Sequence, residues 1–414
     1  MAVIESAQAP PHSAGEWPMD SLDVAGRIRA GWTPLPFQEF VVKVHSRCNL
    51  ACDYCYMYEM ADQSWRAQPA VMPDRVMGHV CDRIGEHVAA HDLRAVHVVL
   101  HGGEPLLAGR AAIRRFARLA RAAVGSARLE IGVQTNGILL SPEFLDLFAE
   151  YGIRVGVSLD GGQDGQDRHR RYASGRGSYD RVAEGLRRLT SDAYRPLFSG
   201  LLCTIDVAND PLATYRELAS WEPPKVDFLL PHGNWATPPP GRTPDPAATP
   251  YADWLIPIFE QWYGGGDPTT PVRLFTAIIR LLLGRTAVTE HVGLSAIRLL
   301  VIETDGTLQQ VDTLKSTYSG APETGLNVID NTFDEALVHP SIVARQIGVE
   351  ALGATCRSCS LRDVCGGGDY THRYREHSGF RHRSVYCPDL MRLITHIKSR
   401  VETDLRAARR ETPS

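Results

Sequence analysis

Seven of the nine cysteines lie in two short stretches. Cys48, Cys52 and Cys55 form a C-x3-C-x2-C run in VHSRCNLACDYCYMYE, and Cys356, Cys359, Cys365 and Cys387 fall within the last sixty residues. In a reducing compartment, thiols clustered in this way point to metal rather than to disulfides. Three thiolates on one tight loop do not complete a tetrahedral zinc site. They do hold three irons of a [4Fe–4S] cube, leaving the fourth iron open to an exogenous ligand. For the four C-terminal thiolates, spacing alone permits a fully ligated cube or a structural zinc ion. Cys81, in the helical pattern VMGHVCDRIGEHV, and Cys203, in GLLCTID, stand alone and are expected to be small buried hydrophobes.

The elements that position these residues follow from the apolar patterning. The chain has 414 residues, 43% hydrophobic and 22% charged, with a net charge of −4, which excludes wholesale disorder and a generally basic nucleic-acid binder. No apolar run is long enough to span a bilayer, and the N-terminus has no secretory signal, so the expected compartment is the cytoplasm. Residues 1–36, rich in Ala, Pro and Ser, read as a partly ordered arm. Apolar, β-branched runs follow at Phe40–His45, Val96–Leu100, Leu129–Gln134, Ile153–Ser158, Gly200–Asp206 and Val226–Leu230. Helical periodicity separates them, as in Arg110–Val124 and Pro142–Tyr151. Strands alternating with helices predict a parallel sheet covered on its outer face: an α/β partial barrel of six βα units over 37–235, with function at the C-terminal strand ends.

A proline-rich connection over 235–250 follows, then helical sequence over 251–284 and a hairpin over 301–312 with an Asp-Gly turn. Residues 236–345 form a bridging region. The cysteine-rich segment and a closing helix, Pro388–Arg409, make a last unit over 346–414.

The first cysteine motif resembles that of the radical S-adenosylmethionine (SAM) superfamily, and further elements carry the resemblance. Tyr54 fits the aromatic residue that packs near the adenine. HGGEP, with Gly102, Gly103 and Glu104, fits the element that binds the methionine ammonium group. QTNG, with Gln134 and Asn136, and VSLDG, with Ser158 and Asp160, match positions that contact the methionine or ribose. An arginine of HRRYASGRGSYD, either Arg170 or Arg171, would meet the SAM carboxylate. The resemblance implies a SAM cofactor and one radical SAM [4Fe–4S] cluster.

The C-terminal segment resembles the SPASM extension of peptide-modifying radical SAM enzymes, which carries auxiliary clusters. The four ligands of its outer cluster match Cys356, Cys359, Cys365 and Cys387. Where the inner cluster's ligands belong stand Asp369 and Val311. The resemblance thus implies one auxiliary [4Fe–4S] cluster. In related sulfatase-maturing enzymes the position of Asp312 looks like the aspartate that accepts a substrate proton. Here Asp312 is a candidate general base, set against a hairpin-end carboxylate making turn hydrogen bonds.

From Phe37 to the last cysteine the sequence resembles FxsB-type maturases, which form three-residue cyclophanes on ribosomally made peptides. That implies a precursor-peptide partner with an aromatic residue in its core and a small electron donor such as ferredoxin or flavodoxin. It also implies a cross-link from an aromatic ring carbon to a β-carbon two residues on. Such a C–H bond has no useful acidity, so a radical rather than a base must open it. Other products of the same machinery are a thioether, an aldehyde or an epimer. A different class is a non-catalytic zinc protein that binds peptide or nucleic acid. The stretch from Tyr370 through Arg373, Tyr374, His377 and Arg381 to His382 and Arg383 reads as a solvated face near the cluster or as a grip for an acidic leader.

Overall fold

The structure is a computed structural model, and it describes residues 17–243, 245, 247–265, 270–287 and 289–411. The first sixteen residues of the expected arm lie outside this range. The described part of the arm contains a short helix, α1 (Val24–Arg29), capped by the Asp23 carboxylate, which accepts from Gly26 N at 2.7 Å.

Nine strands form one sheet: β1 (Glu39–His45), β2 (Ala95–Gly102), β3 (Arg128–Thr135), β4 (Arg154–Ser158), β5 (Phe198–Thr204), β6 (Val226–Leu229), β7 (Leu299–Ile302), β8 (Thr307–Gln309) and β9 (Glu323–Asn327). Their order is β6-β5-β4-β3-β2-β1-β7-β8-β9. The first six pair in parallel, each with its predecessor, and β7 adds in parallel to the free side of β1. β8 and β9 continue antiparallel, giving the expected hairpin with Gly306 at φ 90° in its turn. The expected six-strand sheet is therefore extended by three strands from the bridging region.

The connections are α2 (Asp74–Ala90), α3 (Gly109–Ala123), α4 (Pro142–Tyr151), α5 (Gln163–His169), α6 (Tyr179–Leu189) and α7 (Pro211–Ser220). Each amphipathic helix buries one stripe against the sheet; α2, for example, contributes Val76, Val80, Cys81, Ile84 and Val88. β2 and β3 alternate, whereas β1, β4, β6 and β7 are buried along most of their length. In β2, Val96, Val98 and Leu100 are buried, while His97, Val99 and His101 are half-buried. In β3, Leu129, Ile131 and Val133 are buried, while Gln134 is half-buried. One face of the sheet is sealed by helices and the other is left for polar groups.

The helical stretch expected over 251–284 is two helices, α8 (Pro250–Gly264) and α9 (Arg273–Leu282); residues 266–269 between them are outside the described set. The last helix, Cys387–Glu411, packs on α8 and α9, with His396 Nε2 2.6 Å from Glu260 Oε1. Val385, Leu390, Leu393 and Ile397 join the same apolar core as the strands, so the closing helix is part of the main body. A smaller apolar cluster joins Trp17, Val311 and Leu314 to Tyr370, Tyr374 and Phe380 of the cysteine-rich segment. Among the described residues no helix is long and apolar enough to cross a membrane.

Candidate functional site

The parallel strands aim their C-terminal ends at one cavity of about 190 Å³. Its wall takes Cys48, Cys52, Tyr54 and Cys55 from the loop after β1, and His101, Gly102 and Gly103 from the end of β2. Gln134 and Asn136 come from the end of β3, Ser158 from β4, and Arg170 from the residue after α5. Sequence elements more than a hundred residues apart thus share one pocket, because parallel strands all present the same end.

The loop is held by its own backbone: Cys55 N donates to Cys52 O at 3.1 Å, and Leu50 N to Cys48 Sγ at 3.4 Å. Asn136 Nδ2 lies 3.7 Å from Cys48 Sγ and donates to Asn49 Oδ1 at 2.7 Å. Burial pushes the Cys48 thiol up to about 12 and the Cys55 thiol up to about 11. Without a metal these thiols keep their protons; metal binding must displace them.

The two glycines are sterically required. A Cβ on Gly102, at φ 150°, would run into the carbonyl of His45, and one on Gly103 into Tyr58 Oη and the carbonyl of Arg47. Glu104 is fully buried, and its carboxylate accepts from Leu106 N (3.0 Å), Thr135 Oγ1 (2.8 Å) and Asn136 N (2.8 Å). It stitches the β2 loop to the β3 loop from behind the wall, leaving Gly102 and Gly103 as this motif's pocket surface. Ser158 Oγ accepts from Gln134 Nε2 at 3.0 Å, so these two neighbours hold each other in register.

The structure places Arg170 and Arg171 differently. Arg170 is buried in the pocket wall, its Nη1 donating to Tyr54 Oη at 2.8 Å, while its buried Nε has no partner. Tyr54 Oη in turn donates to Asp160 Oδ2, and Asp160 Oδ1 accepts from Thr204 N at 2.9 Å. Arg171 is exposed and turned onto the carbonyls of Asp167 and Arg168. Asp160 and Tyr54 fix the position of Arg170, whose unpartnered nitrogen suits a carboxylate ligand.

At the other centre, Cys356 and Cys365 sit in two one-turn helical pieces, Cys359 lies in the turn between them, and Cys387 begins the last helix. Burial pushes the Cys365 thiol up to about 11, with Cys387 and Cys356 close enough to raise it further, while Arg373 opposes them. Arg373 donates to the carbonyls of Gly366 (2.7 Å) and Gly368 (2.6 Å), and Arg383 acts on Cys387 and Cys356. Two guanidiniums acting on three of the four thiols suit an anionic cluster.

A tetrahedral zinc ion with Zn–S bonds of about 2.3 Å places its thiolates roughly 3.8 Å apart. Among the described residues, a threesome of ligand atoms within 4.8 Å of one another occurs at His87, His91 and Asp334, and not among the cysteines. The cysteines as placed are therefore not drawn together as a tetrahedral zinc shell requires, which is compatible with thiolates on separate irons of a cube.

At the expected inner-cluster positions, Val311 packs in the smaller apolar cluster, and Asp369 Oδ1 accepts from Thr371 N (3.0 Å) and Thr371 Oγ1 (2.8 Å). Asp312 lies just behind the pocket. Its Oδ1 pairs with Lys43 Nζ at 2.9 Å, and its Oδ2 is 3.7 Å from His101 Nδ1. Lys43 is completely buried and also pairs with Glu303 at 2.9 Å; Glu303 continues to Lys315 at 3.2 Å. Lys43 beside Asp312 holds its carboxyl below the usual range despite burial. His101, not Asp312, is the pocket-lining member of this pair.

A second cavity of about 560 Å³ adjoins the first, sharing Tyr56, Leu202, Leu229, Leu230 and His232. His291, Asp369 and His372 line it, with His291 Nδ1 3.7 Å from Asp369 Oδ2. Burial drives the His372 imidazole down to about 3, so it is neutral. Sequence reasoning missed this group, although His232, just past β6, follows the strand-end rule. The stretch expected as a solvated face is a correction: Tyr370, His372, Arg373 and Tyr374 are buried, with Tyr370 stacked on Phe380 at 4.3 Å. Arg381 and Arg383 remain exposed. Cys81 and Cys203 are buried in the core, as expected.

Residues 42–211 match the radical SAM superfamily. Over 356 residues the chain is 24% identical to a serine-type anaerobic sulfatase-maturating enzyme of Bacteroides thetaiotaomicron, covering 80% of this chain and 82% of the relative. Its fold is similar to that of native anSMEcpe with bound AdoMet, at a TM-score of 0.75 and 19% identity, covering 88% of this chain and 98% of the other. It is also similar to Streptococcus suis SuiB bound to precursor peptide SuiA, at a TM-score of 0.59 and 14% identity, covering 88% and 78%. The architecture is therefore the mixed α/β radical SAM fold with a C-terminal cysteine-rich region.

Proposed function

We propose that this chain, whose residues 42–211 match the radical SAM superfamily, matures a ribosomally made peptide, joining an aromatic ring carbon to the β-carbon of the second residue after it. The observation that carries the first half of this reading is the convergence of three thiols, the Gly102–Gly103 wall and the unpartnered Arg170 Nε on one pocket. Cys48, Cys52 and Cys55 hold one [4Fe–4S] cluster, and Cys356, Cys359, Cys365 and Cys387 hold a second that is fully ligated by protein and suited to electron transfer or support. When bound, SAM and the three-thiolate cluster supply a 5′-deoxyadenosyl radical, which opens C–H bonds that no side-chain base can.

The chain's own residues do the rest. Arg170, fixed by Tyr54 and Asp160, takes the SAM carboxylate. The glycine wall brings backbone groups to the ammonium, and Gln134, Asn136 and Ser158 line the remaining pocket wall. Tyr56, Leu202, Leu229 and Leu230, shared by the two cavities, keep water from the reacting carbon. The larger cavity receives the peptide. Ring closure removes two hydrogens per cross-link: the β-hydrogen would leave as an atom to the 5′-deoxyadenosyl radical, the ring electron would go to the cluster held by Cys356, Cys359, Cys365 and Cys387, and the ring proton would pass to the His101–Asp312 pair, where Lys43 keeps Asp312 ionised. The peptide reading is supported by the precursor-bound SuiB fold and by the sulfatase-maturating relative. The cyclophane reading is supported by the sequence resemblance.

The test of the machinery is anaerobic reconstitution followed by iron and sulfide analysis and assay of SAM cleavage. About eight irons per chain and reductant-dependent 5′-deoxyadenosine are expected. A colourless protein that retains zinc and leaves SAM intact would place the chain among non-catalytic binders.

A further inference from the structure

At the start of β1, the opposite end from the cysteine loop, α2 and a short helix α10 (Phe333–Leu337) meet through three side chains. His87 lies in the last turn of α2 and His91 is its C-cap; four residues apart, they share one face. Asp334, in the first turn of α10, faces both, its Oδ1 2.7 Å from His87 Nδ1 and 2.9 Å from His91 Nε2. We propose that these three residues are a structural divalent-cation site, with two imidazoles and one carboxylate as ligands and water completing the shell. Such a donor set suits zinc(II) and its borderline neighbours rather than calcium or magnesium.

The site is built rather than casual. The three ligand atoms lie within 4.8 Å of one another, which no other threesome of His, Cys, Asp or Glu achieves among the described residues. His87 is locked: its side chain is 1% exposed, and its ring packs against Phe37, Phe40 and Phe333 with centroids 5.7, 6.0 and 6.1 Å away. Its partners are graded outward, His91 at 26% and Asp334 at 47% exposed, which gives a cation a path in and water a place to bind. The C-terminal end of α2 presents carbonyl dipoles that favour positive charge there.

The proton arrangement points the same way. If the cluster is only hydrogen-bonded and His87 is neutral, its proton must sit on Nδ1 to donate to Asp334. That leaves Nε2 as a buried lone pair without a partner. A cation on Nδ1 would place the ring proton on Nε2, the buried nitrogen that has no hydrogen-bond partner here. Metal-bound histidines commonly direct their second N–H to backbone carbonyls.

The distances fit with small adjustment. Bonds of about 2.0–2.2 Å in tetrahedral geometry place donors roughly 3.3 Å apart, so the 2.7 and 2.9 Å separations must open by about half an ångström. The two exposed ligands can make that move while His87 stays fixed. A bound ion would clip the first helix of the sheet to the segment that follows β9, far from the cysteine pocket.

The test uses tag-free, anaerobically reconstituted holoprotein given one equivalent of Zn²⁺. Retained zinc is counted after gel filtration, and its ligands are read by zinc K-edge X-ray absorption, to which iron is silent. Wild type is compared with His91→Ala and Asp334→Asn. The asparagine keeps an oxygen for the imidazoles, so zinc-free unfolding midpoints control for folding. Expected are about one zinc per chain, a shell of nitrogen and oxygen near 2.0 Å, and at least tenfold weaker binding in both variants. A sulfur shell near 2.3 Å, equal affinity in all three proteins, or no retained zinc would each overturn the proposal.

Discussion

Replacing Lys43 with methionine removes one charge from a place where charge has no access to water. Lys43 is 0% exposed, and Glu303 and Asp312, each 2.9 Å from its Nζ, are 3% and 7% exposed. Methionine keeps most of the volume, so the change isolates electrostatics from packing. Glu303 retains Lys315 at 3.2 Å, but Asp312 keeps only the more distant field of Lys315 and His101 at 3.7 Å, a ring kept neutral by burial. Breaking a buried pair by removing one partner costs about 3–5 kcal/mol, and the stranded carboxylate of Asp312 supplies much of it. Lys43→Met/Asp312→Asn should therefore recover about 1–3 kcal/mol relative to the single variant. The assay is urea unfolding of anaerobic holoprotein followed by far-ultraviolet circular dichroism. A single variant within about 1 kcal/mol of wild type, or a double variant no more stable than the single, would refute the view that Lys43 is the obligate counter-ion of Asp312.

Three further outcomes are expected. Arg170→Gln should weaken SAM binding by roughly ten- to a hundredfold, the worth of one charge-assisted hydrogen bond, while Arg171→Ala leaves it within about twofold; equilibrium dialysis against SAM reads both. Cys365→Ser should leave about four irons per chain, with the cluster electron paramagnetic resonance signal of the first centre still responding to SAM; loss of all iron would mean the two centres do not form independently. Asp312→Asn should leave SAM cleavage intact while lowering cross-linked product by about a hundredfold, the usual range for a lost general base; undiminished product would return Asp312 to a purely structural part.

Local signals carried much of this site into the sequence. The spacing of Cys48, Cys52 and Cys55 is a property of one loop, and β-branched runs located β1 to β6 to within a few residues because the buried face must be apolar. Gly102 and Gly103 were legible because close backbone approach leaves room for no other residue. Elsewhere the pattern was silent. The extension of the sheet by β7 was hidden because Leu299–Ile302 pairs across more than two hundred residues with β1. Lys43 reads as a surface lysine until Glu303 and Asp312, both from the bridging region, are folded onto it. His232, His291, Asp369 and His372 come from three segments and meet only across a cavity. The stretch from Tyr370 to Tyr374 looked solvent-facing from its charge, yet Arg373 is drawn inward by the Gly366 and Gly368 carbonyls. Arg170 and Arg171 are adjacent and chemically identical, so only the turn after α5 separates them.

The most direct measurement is high-resolution tandem mass spectrometry of the small peptide encoded beside the gene, after incubation with anaerobically reconstituted protein, SAM and reductant. The expected result is a loss of about two hydrogens per ring, with fragmentation blocked between an aromatic residue and the second residue after it, accompanied by SAM cleavage. SAM cleavage with the peptide mass unchanged, or with a mass change that leaves every bond in that interval open to fragmentation, would contradict cyclophane formation.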